Sequence, residues 1–232
     1  MFLRTSGQLH VPRPGTSGAQ PGVRMAGRSS TPRSRPFTAA IHELAARADP
    51  AALLDLEGVI LFENDAWERF ARVGGGFGEV GVGGRLLDAL PGEGEREAVC
   101  RLIARVGRGP GPRAASITVE RNTPDLARLV TLLVSPVLSG NEAIGLTIVQ
   151  RIVRELPVRE VYQVVEATLE DYRPEDGVLR QCGCCRRTRH PADPAEWDFV
   201  PALVAAPPAD TAFETCPLCR ELHCAVTAPD DR

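Results

Sequence analysis

The chain has 232 residues with 27 basic and 30 acidic side chains, and is 43% hydrophobic and 25% charged. That composition excludes collagen-like, coiled-coil and wholly disordered architectures and allows one large domain, or one of about 100–150 residues with attachments. No uncharged apolar run approaches the ~18 residues of a membrane span, and no apolar stretch follows Met1-Phe2-Leu3-Arg4, so neither a membrane segment nor a secretory signal is expected and the location reads as cytoplasmic.

Every basic residue is arginine, and lysine-free, alanine-rich usage points to a GC-rich bacterial genome. Residues 1–40 carry six arginines and no acid, which leaves 21 arginines against 30 acids in the rest. Glycine, proline, serine and threonine fill 19 of those 40 positions, so a disordered basic tail is expected over 1–38. It is a basic arm, a transit peptide or the product of a mis-assigned start, with Met25 as the true one; the genome composition favours the last.

Periodic sequence begins at residue 39. Ile41, Leu44 and Ala45 predict a leading helix over 39–49, closed before Asp49-Pro50. Ala52–Leu56 and Val59–Phe62 read as strands joined by a Glu57-Gly58 turn. Asp65-Ala66-Trp67-Glu68 is a capping box opening a helix with Trp67, Phe70 and Ala71 on one face, which ends at Gly74-Gly75-Gly76. A short helical piece spans Arg85–Leu90. A longer helix, Glu93–Val106, turns Val99, Leu102, Ile103 and Val106 inward. Strands follow at Ala115–Arg121, Ala127–Val137 and Ala143–Ile152, the first with Ile117 and Val119 alternating against Ser116, Thr118 and Glu120.

Two strands, several short helices and three strands do not make a parallel doubly wound sheet; they fit an α+β unit with an antiparallel five-stranded sheet and helices across one face, over 50–153. Leu54-Asp55-Leu56-Glu57-Gly58-Val59-Ile60-Leu61-Phe62-Glu63-Asn64-Asp65-Ala66-Trp67 resembles the opening of a PAS sensory domain, Gly83–Leu90 resembles that family's G-x-x-L-x-D-x-L segment, and Val134-Ser135-Pro136-Val137 its x-T-P-x strand. Where the family's closing strand carries Asp-Ile-Thr-Glu, this chain has Gln150-Arg151-Ile152-Val153. The resemblance implies a ligand- or partner-sensing role. Residues 50–152 hold no histidine, which disfavours histidine-ligated haem, and Cys100 lies outside the Asn-Cys-Arg setting of blue-light flavin domains. Cys100 borders the apolar helix face and reads as a packed thiol; no cofactor-binding residue is assigned in the sensor core.

After Pro157, the residues Val158, Tyr162, Val165, Leu169 and Tyr172 recur at heptad spacing and predict a linker helix over 157–173. It reads either as packed on its own domain or as a homodimer helix joining sensor to output, the second implied by resemblance to tandem PAS proteins.

Cys182-Gly183-Cys184-Cys185 and Cys216-Pro217-Leu218-Cys219 are two C-x-x-C pairs 30 residues apart. Two such knuckles turn four thiolates onto one ion in a closed tetrahedral site, so Cys182, Cys185, Cys216 and Cys219 are the candidate ligands of a structural Zn²⁺ within a small zinc-ribbon-like module over 180–225. Cys184 is a spare thiol, and His223 and Cys224 are substitutes; a rubredoxin-type iron, a redox dithiol pair and buried thiols are the competing readings. So short a segment cannot supply its own core, which leaves folding free energy to the metal. Arg186, Arg187, Arg189 and Arg220 are placed to offset thiolate charge. The segment is similar to a C-terminal element of bacterial signalling proteins, but shows Ala212-Phe213-Glu214-Thr215 where that element has Ser-His-Gly.

The expected function is therefore a bacterial, cytoplasmic signal-transduction sensor or adaptor that acts on a protein partner. No catalytic motif is recognised and no enzyme is expected. A zinc-ribbon transcriptional regulator binding nucleic acid, disfavoured by the acidic body, and a thiol-based redox switch are the alternatives.

Overall fold

A computed structural model describes residues 34–72, 80–90, 92–108, 111–173 and 177–224. Met25, the rest of the basic segment to Arg33, and Gly74-Gly75-Gly76 lie outside the described residues.

Five strands form one antiparallel sheet: β1 (Ala51–Leu54), β2 (Ile60–Glu63), β3 (Ala115–Glu120), β4 (Leu126–Ser139) and β5 (Glu142–Pro157), in the order β2-β1-β5-β4-β3. This is the α+β architecture that the PAS resemblance implies. The β1–β2 turn is held by Asp55, whose Oδ1 accepts the N–H groups of Glu57 (2.9 Å) and Val59 (2.8 Å). Gly58 sits there at φ +82°, a conformation that a side chain would strain.

Helix α2 (Asp65–Arg72), a 3₁₀ turn (Leu86–Ala89) and helix α3 (Glu93–Arg108) lie on one face. Their apolar stripes bury Trp67, Leu86, Val99, Leu102 and Val106 against Ala52, Leu54, Ile117, Val130, Leu132 and Ile148 of the sheet. Each such side chain is worth about 1.5–3 kcal/mol of burial. Helix α1 (Ser34–Ala45) crosses the opposite face, packing Phe37, Ile41 and Leu44 on Ala51, Leu53, Phe62 and Val149. β1 is therefore buried on both faces. Phe37 rests on Gly145, where an added Cβ would lie 2.5 Å from the ring and 2.8 Å from the Leu54 oxygen. α1 begins five residues before the predicted start, so 34–38 are helical rather than part of the tail, because Phe37 belongs to its apolar face.

The cap of α2 also differs from expectation. Asn64, not Asp65, accepts the Trp67 N–H (2.9 Å) and also that of Ala51 (3.0 Å) on its Oδ1. Its Nδ2 donates to the carbonyls of Leu44 (3.1 Å), Arg47 (3.2 Å) and Asp49 (2.9 Å). One buried amide thus joins the end of α1, the start of β1 and the first turn of α2. Cys100 is exposed rather than packed, since the inward stripe of α3 runs through Ala98, Val99, Leu102 and Val106 and position 100 turns away from it.

The predicted linker helix over 157–173 does not form. β5 continues to Pro157, α4 (Val158–Val161) lasts one turn, and Tyr162 is already extended at φ −121°, ψ 148°. Four valines at 158, 161, 164 and 165 weaken helix formation. The extended path uses the same apolar positions better: Val165 and Leu169 pack with Tyr172 against Leu179, Val200 and Leu203. Tyr162 stacks on Phe199 with centroids 5.1 Å apart, and Val165 donates its N–H to the Phe199 oxygen (2.9 Å). The residues read as a dimer seam are spent within the chain, so that route to a homodimer is lost.

A second, four-stranded sheet follows, in the order β8-β7-β6-β9: β6 (Arg180–Cys182), β7 (Thr188–Arg189), β8 (Trp197–Asp198) and β9 (Ala212–Glu214). Two helices complete it, α5 (Pro201–Ala205) and α6 (Pro217–Cys224).

Candidate metal centre

Strand β6 ends at Cys182 and the chain turns back through Cys185 into β7, while β9 leads into Cys216 at the start of α6. The Sγ atoms of Cys182, Cys185, Cys216 and Cys219 lie within 4.8 Å of one another, and all four residues are buried. Cys185 and Cys216 Sγ, from different knuckles, are 3.7 Å apart. Tetrahedral coordination with metal–sulfur bonds of about 2.3 Å requires sulfur separations near ~3.8 Å, so the donor set fits Zn²⁺ or a similar thiophilic ion. An ion there would pin β6, the turn and α6 together and leave no open coordination position.

Backbone geometry supports the two knuckles. In the first, Cys182 N–H donates to the Arg187 oxygen (2.7 Å) and Arg186 N–H to the Cys182 oxygen (3.0 Å). Arg186 is thereby held at φ +64°, unusual for a residue with a side chain. In the second, Cys219 N–H donates to Cys216 Sγ (3.5 Å). Trp197 packs against the cysteines.

Of the arginines expected to offset thiolate charge, one reaches sulfur: Arg187 donates from Nε to Cys185 Sγ (3.2 Å) and from Nη2 to Cys216 Sγ (3.4 Å), spanning both knuckles. Burial works against its charge, but the Cys185 sulfur outweighs this and raises its pKa. Its guanidinium lies over the Tyr162 ring, 5.6 Å from the centroid. Arg186 lies over Phe213 (5.3 Å), Arg189 donates to the Pro194 oxygen (3.2 Å) and Arg220 to the Thr215 oxygen (3.5 Å). Sulfur contacts from Cys184, then Cys185, Cys216 and Cys219, lower the Cys182 pKa, while contact with Cys182 raises that of Cys185.

The centre is joined to the five-stranded domain through the spare thiol Cys184, through Tyr162, and through Glu95, Arg121 and Asn122, to which the sequence assigns no role. Cys184 is buried beside the cluster and donates from Sγ to Glu95 Oε2 (3.8 Å). Glu95, in the first turn of α3, pairs through Oε1 with Arg121 Nη2, and both side chains are almost fully enclosed. Burial lowers the Arg121 pKa to about 10, against the pull of Cys184. Asn122 donates to the Cys185 oxygen (2.9 Å) and to Tyr162 Oη (3.1 Å), and Tyr162 Oη donates to Glu120 Oε2 (2.9 Å). The side chains of His223 and Cys224 lie outside the described residues.

No protein-family model matches the chain, and no curated protein matches it. Solved structures similar to it include the PAS domain of Bordetella pertussis BvgS (14% identity, 51% of this chain and 86% of that one, TM-score 0.42). Others are a Rhodobacter sphaeroides LOV protein (14%, 52% and 68%, TM-score 0.40) and a sensory box sensor histidine kinase from Vibrio cholerae (15%, 52% and 92%, TM-score 0.36). These likenesses extend over about half of the chain.

Proposed function

We propose that this chain is a non-enzymatic signal-transduction sensor or adaptor, in which a PAS-like domain responds to a ligand or protein partner and a structural Zn²⁺ on Cys182, Cys185, Cys216 and Cys219 holds the interaction module in place. The observation that carries the reading is the burial of four thiols within 4.8 Å of one another from two C-x-x-C knuckles. The Glu95–Arg121 pair and Asn122 supply a physical route between that centre and the sheet. Zinc supplies no chemistry beyond crosslinking: with four thiolates on it no position is open to substrate.

Metal analysis and an absorption spectrum of the purified full chain test this. One zinc per chain with a featureless visible spectrum is expected; less than about half an equivalent of any metal overturns the centre, and a thiolate–iron charge-transfer band replaces zinc with iron. Salt-dependent binding to duplex DNA would instead support the nucleic-acid alternative. Reversible zinc ejection by peroxide would support the redox one.

A further inference from the structure

β3 is the outermost strand of the five-stranded sheet: β4 takes one side of it, and among the described residues no strand takes the other. Outer strands ordinarily carry bulges, prolines or charges that refuse a partner. β3 is built otherwise. Ala115–Glu120 pairs with β4 along its whole length without a slip of register and contains no proline. Its one charge, Glu120, stands at the last position and accepts the Tyr162 hydroxyl (2.9 Å). Along the rest, Ile117 and Val119 are buried in the core while Ser116 and Thr118 face outward. The opposite end of the sheet is already taken, since Ile60 of β2 donates its N–H to the Gly84 oxygen (2.9 Å) and accepts the Gly83 N–H (2.8 Å).

What covers the β3 edge is α6. It packs against β3 and α3, and because β4 fills the other side of β3, α6 runs along the outer edge. A helix of eight residues does not persist alone in water. This one is held at its start. Cys216 precedes it, Cys219 lies in its first turn, and both belong to the four-thiol cluster. The only strand leading into it, β9, is three residues long and pairs with β6, which ends in the ligand Cys182. The cover of the edge therefore depends on the ion.

We propose that the metal centre masks a self-pairing edge: loss of Zn²⁺ frees α6 and exposes β3, which then pairs antiparallel with β3 of a second copy of this chain. The inference rests on the metal reading and names the partner and the regulation of that centre. An edge of alternating apolar and hydroxyl side chains, uncharged until its last residue, meets no repulsion from an identical edge. A two-fold pair consumes both edges, so the product is a closed dimer.

The test is light scattering on the gel-filtered full chain as purified, after chelation, and after zinc is restored, with reductant throughout so that freed thiols cannot crosslink. Zinc is measured in the same fractions. Molar mass should rise about twofold as the metal leaves and return when zinc is added back. Ser116→Lys and Thr118→Lys, which place a charge on the outward side of the edge, should block the rise, and Thr118→Val, which leaves the edge uncharged, should allow it. Zinc retained by the purified variants shows that they have folded. Mass unchanged after full loss of zinc overturns the proposal, as does association that persists in both lysine variants. A chain that holds no zinc at any stage fails the metal reading itself and takes this proposal with it, whereas zinc lost without a rise in mass fails this proposal alone.

Discussion

Asn122 donates a hydrogen bond at 2.9 Å to the main-chain oxygen of Cys185, 63 residues further along the chain. The same side chain accepts the Arg128 N–H on its Oδ1 (2.9 Å). A single amide in the β3–β4 connection therefore fixes both that connection and the first cysteine knuckle. The knuckle and the sheet are thus in direct hydrogen-bonded contact as well as joined along the chain.

The first prediction follows from that join. Serine at Cys182, Cys185, Cys216 or Cys219 should abolish bound metal, whereas Cys184→Ser and Cys100→Ser should retain it. Removing the metal with a chelator should lower the melting temperature of the whole chain in one calorimetric transition. A five-stranded domain that melts unchanged after metal removal would show the two parts to be independent.

Breaking the Glu95–Arg121 pair from one side removes the main counter-charge of a buried group. Glu95→Gln or Arg121→Met should each cost about 3–5 kcal/mol in urea unfolding. The double variant Glu95→Leu with Arg121→Met should cost far less than the sum, because it removes both charges together. Additive losses would contradict a coupled pair.

Asn64→Ala removes five hydrogen bonds to the main chain at the meeting of α1, β1 and α2. A loss of about 3 kcal/mol is expected. Asn64→Asp should be no better, since it turns an anionic oxygen toward the carbonyls of Leu44, Arg47 and Asp49. Chemical denaturation of the two variants side by side checks this.

Burial raises the Glu120 pKa above its ordinary 4.5, with the Tyr162 hydroxyl bond and Arg187 only partly opposing it. The folded state therefore holds that proton more tightly than the unfolded chain, and the carboxyl's contribution to stability declines as pH rises from about 4.5 through the elevated folded value. Glu120→Gln keeps an oxygen for Tyr162 and cannot ionise. The stability of the variant relative to the wild type should rise across that window, and a pH-independent difference would contradict the assignment.

Arg187→Ala removes the donors to both Cys185 and Cys216 sulfurs. Zinc affinity should fall ~10–100-fold without loss of stoichiometry at saturating metal, measured by competition with a chromophoric chelator.

The strands of the larger sheet were legible because apolar alternation and turn chemistry are local: Ile117 and Val119 point inward, and Asp55 with Gly58 makes the first turn. The thiol cluster was legible because C-x-x-C spacing encodes its own geometry. The segment after Pro157 was misread since heptad spacing reports which residues want burial, not what buries them, and Phe199 and Leu203 are remote in sequence. Glu95 lies on the inward stripe of α3, four residues before Val99, so its burial had a periodic signal. Its partner Arg121 continues the inward alternation of Ile117 and Val119, but an arginine at a strand end ordinarily reaches solvent, and the pairing depends on how α3 lies across β3.

β5 outruns its neighbour. β1 pairs with it only over Leu146–Val149, whereas β4 follows it to Pro157, so among the described residues no strand flanks Arg151–Pro157 on the side away from β4. An open edge of that length is ordinarily a template on which other chains assemble into fibrils. Here the ladder slips by one residue opposite Leu129 and Val130, and Arg151, Arg154 and Glu155 stand exposed along it. The kink denies an incoming strand a straight register, and Arg151, Arg154 and Glu155 interrupt the apolar surface that the exposed Ile152 and Val153 would offer it.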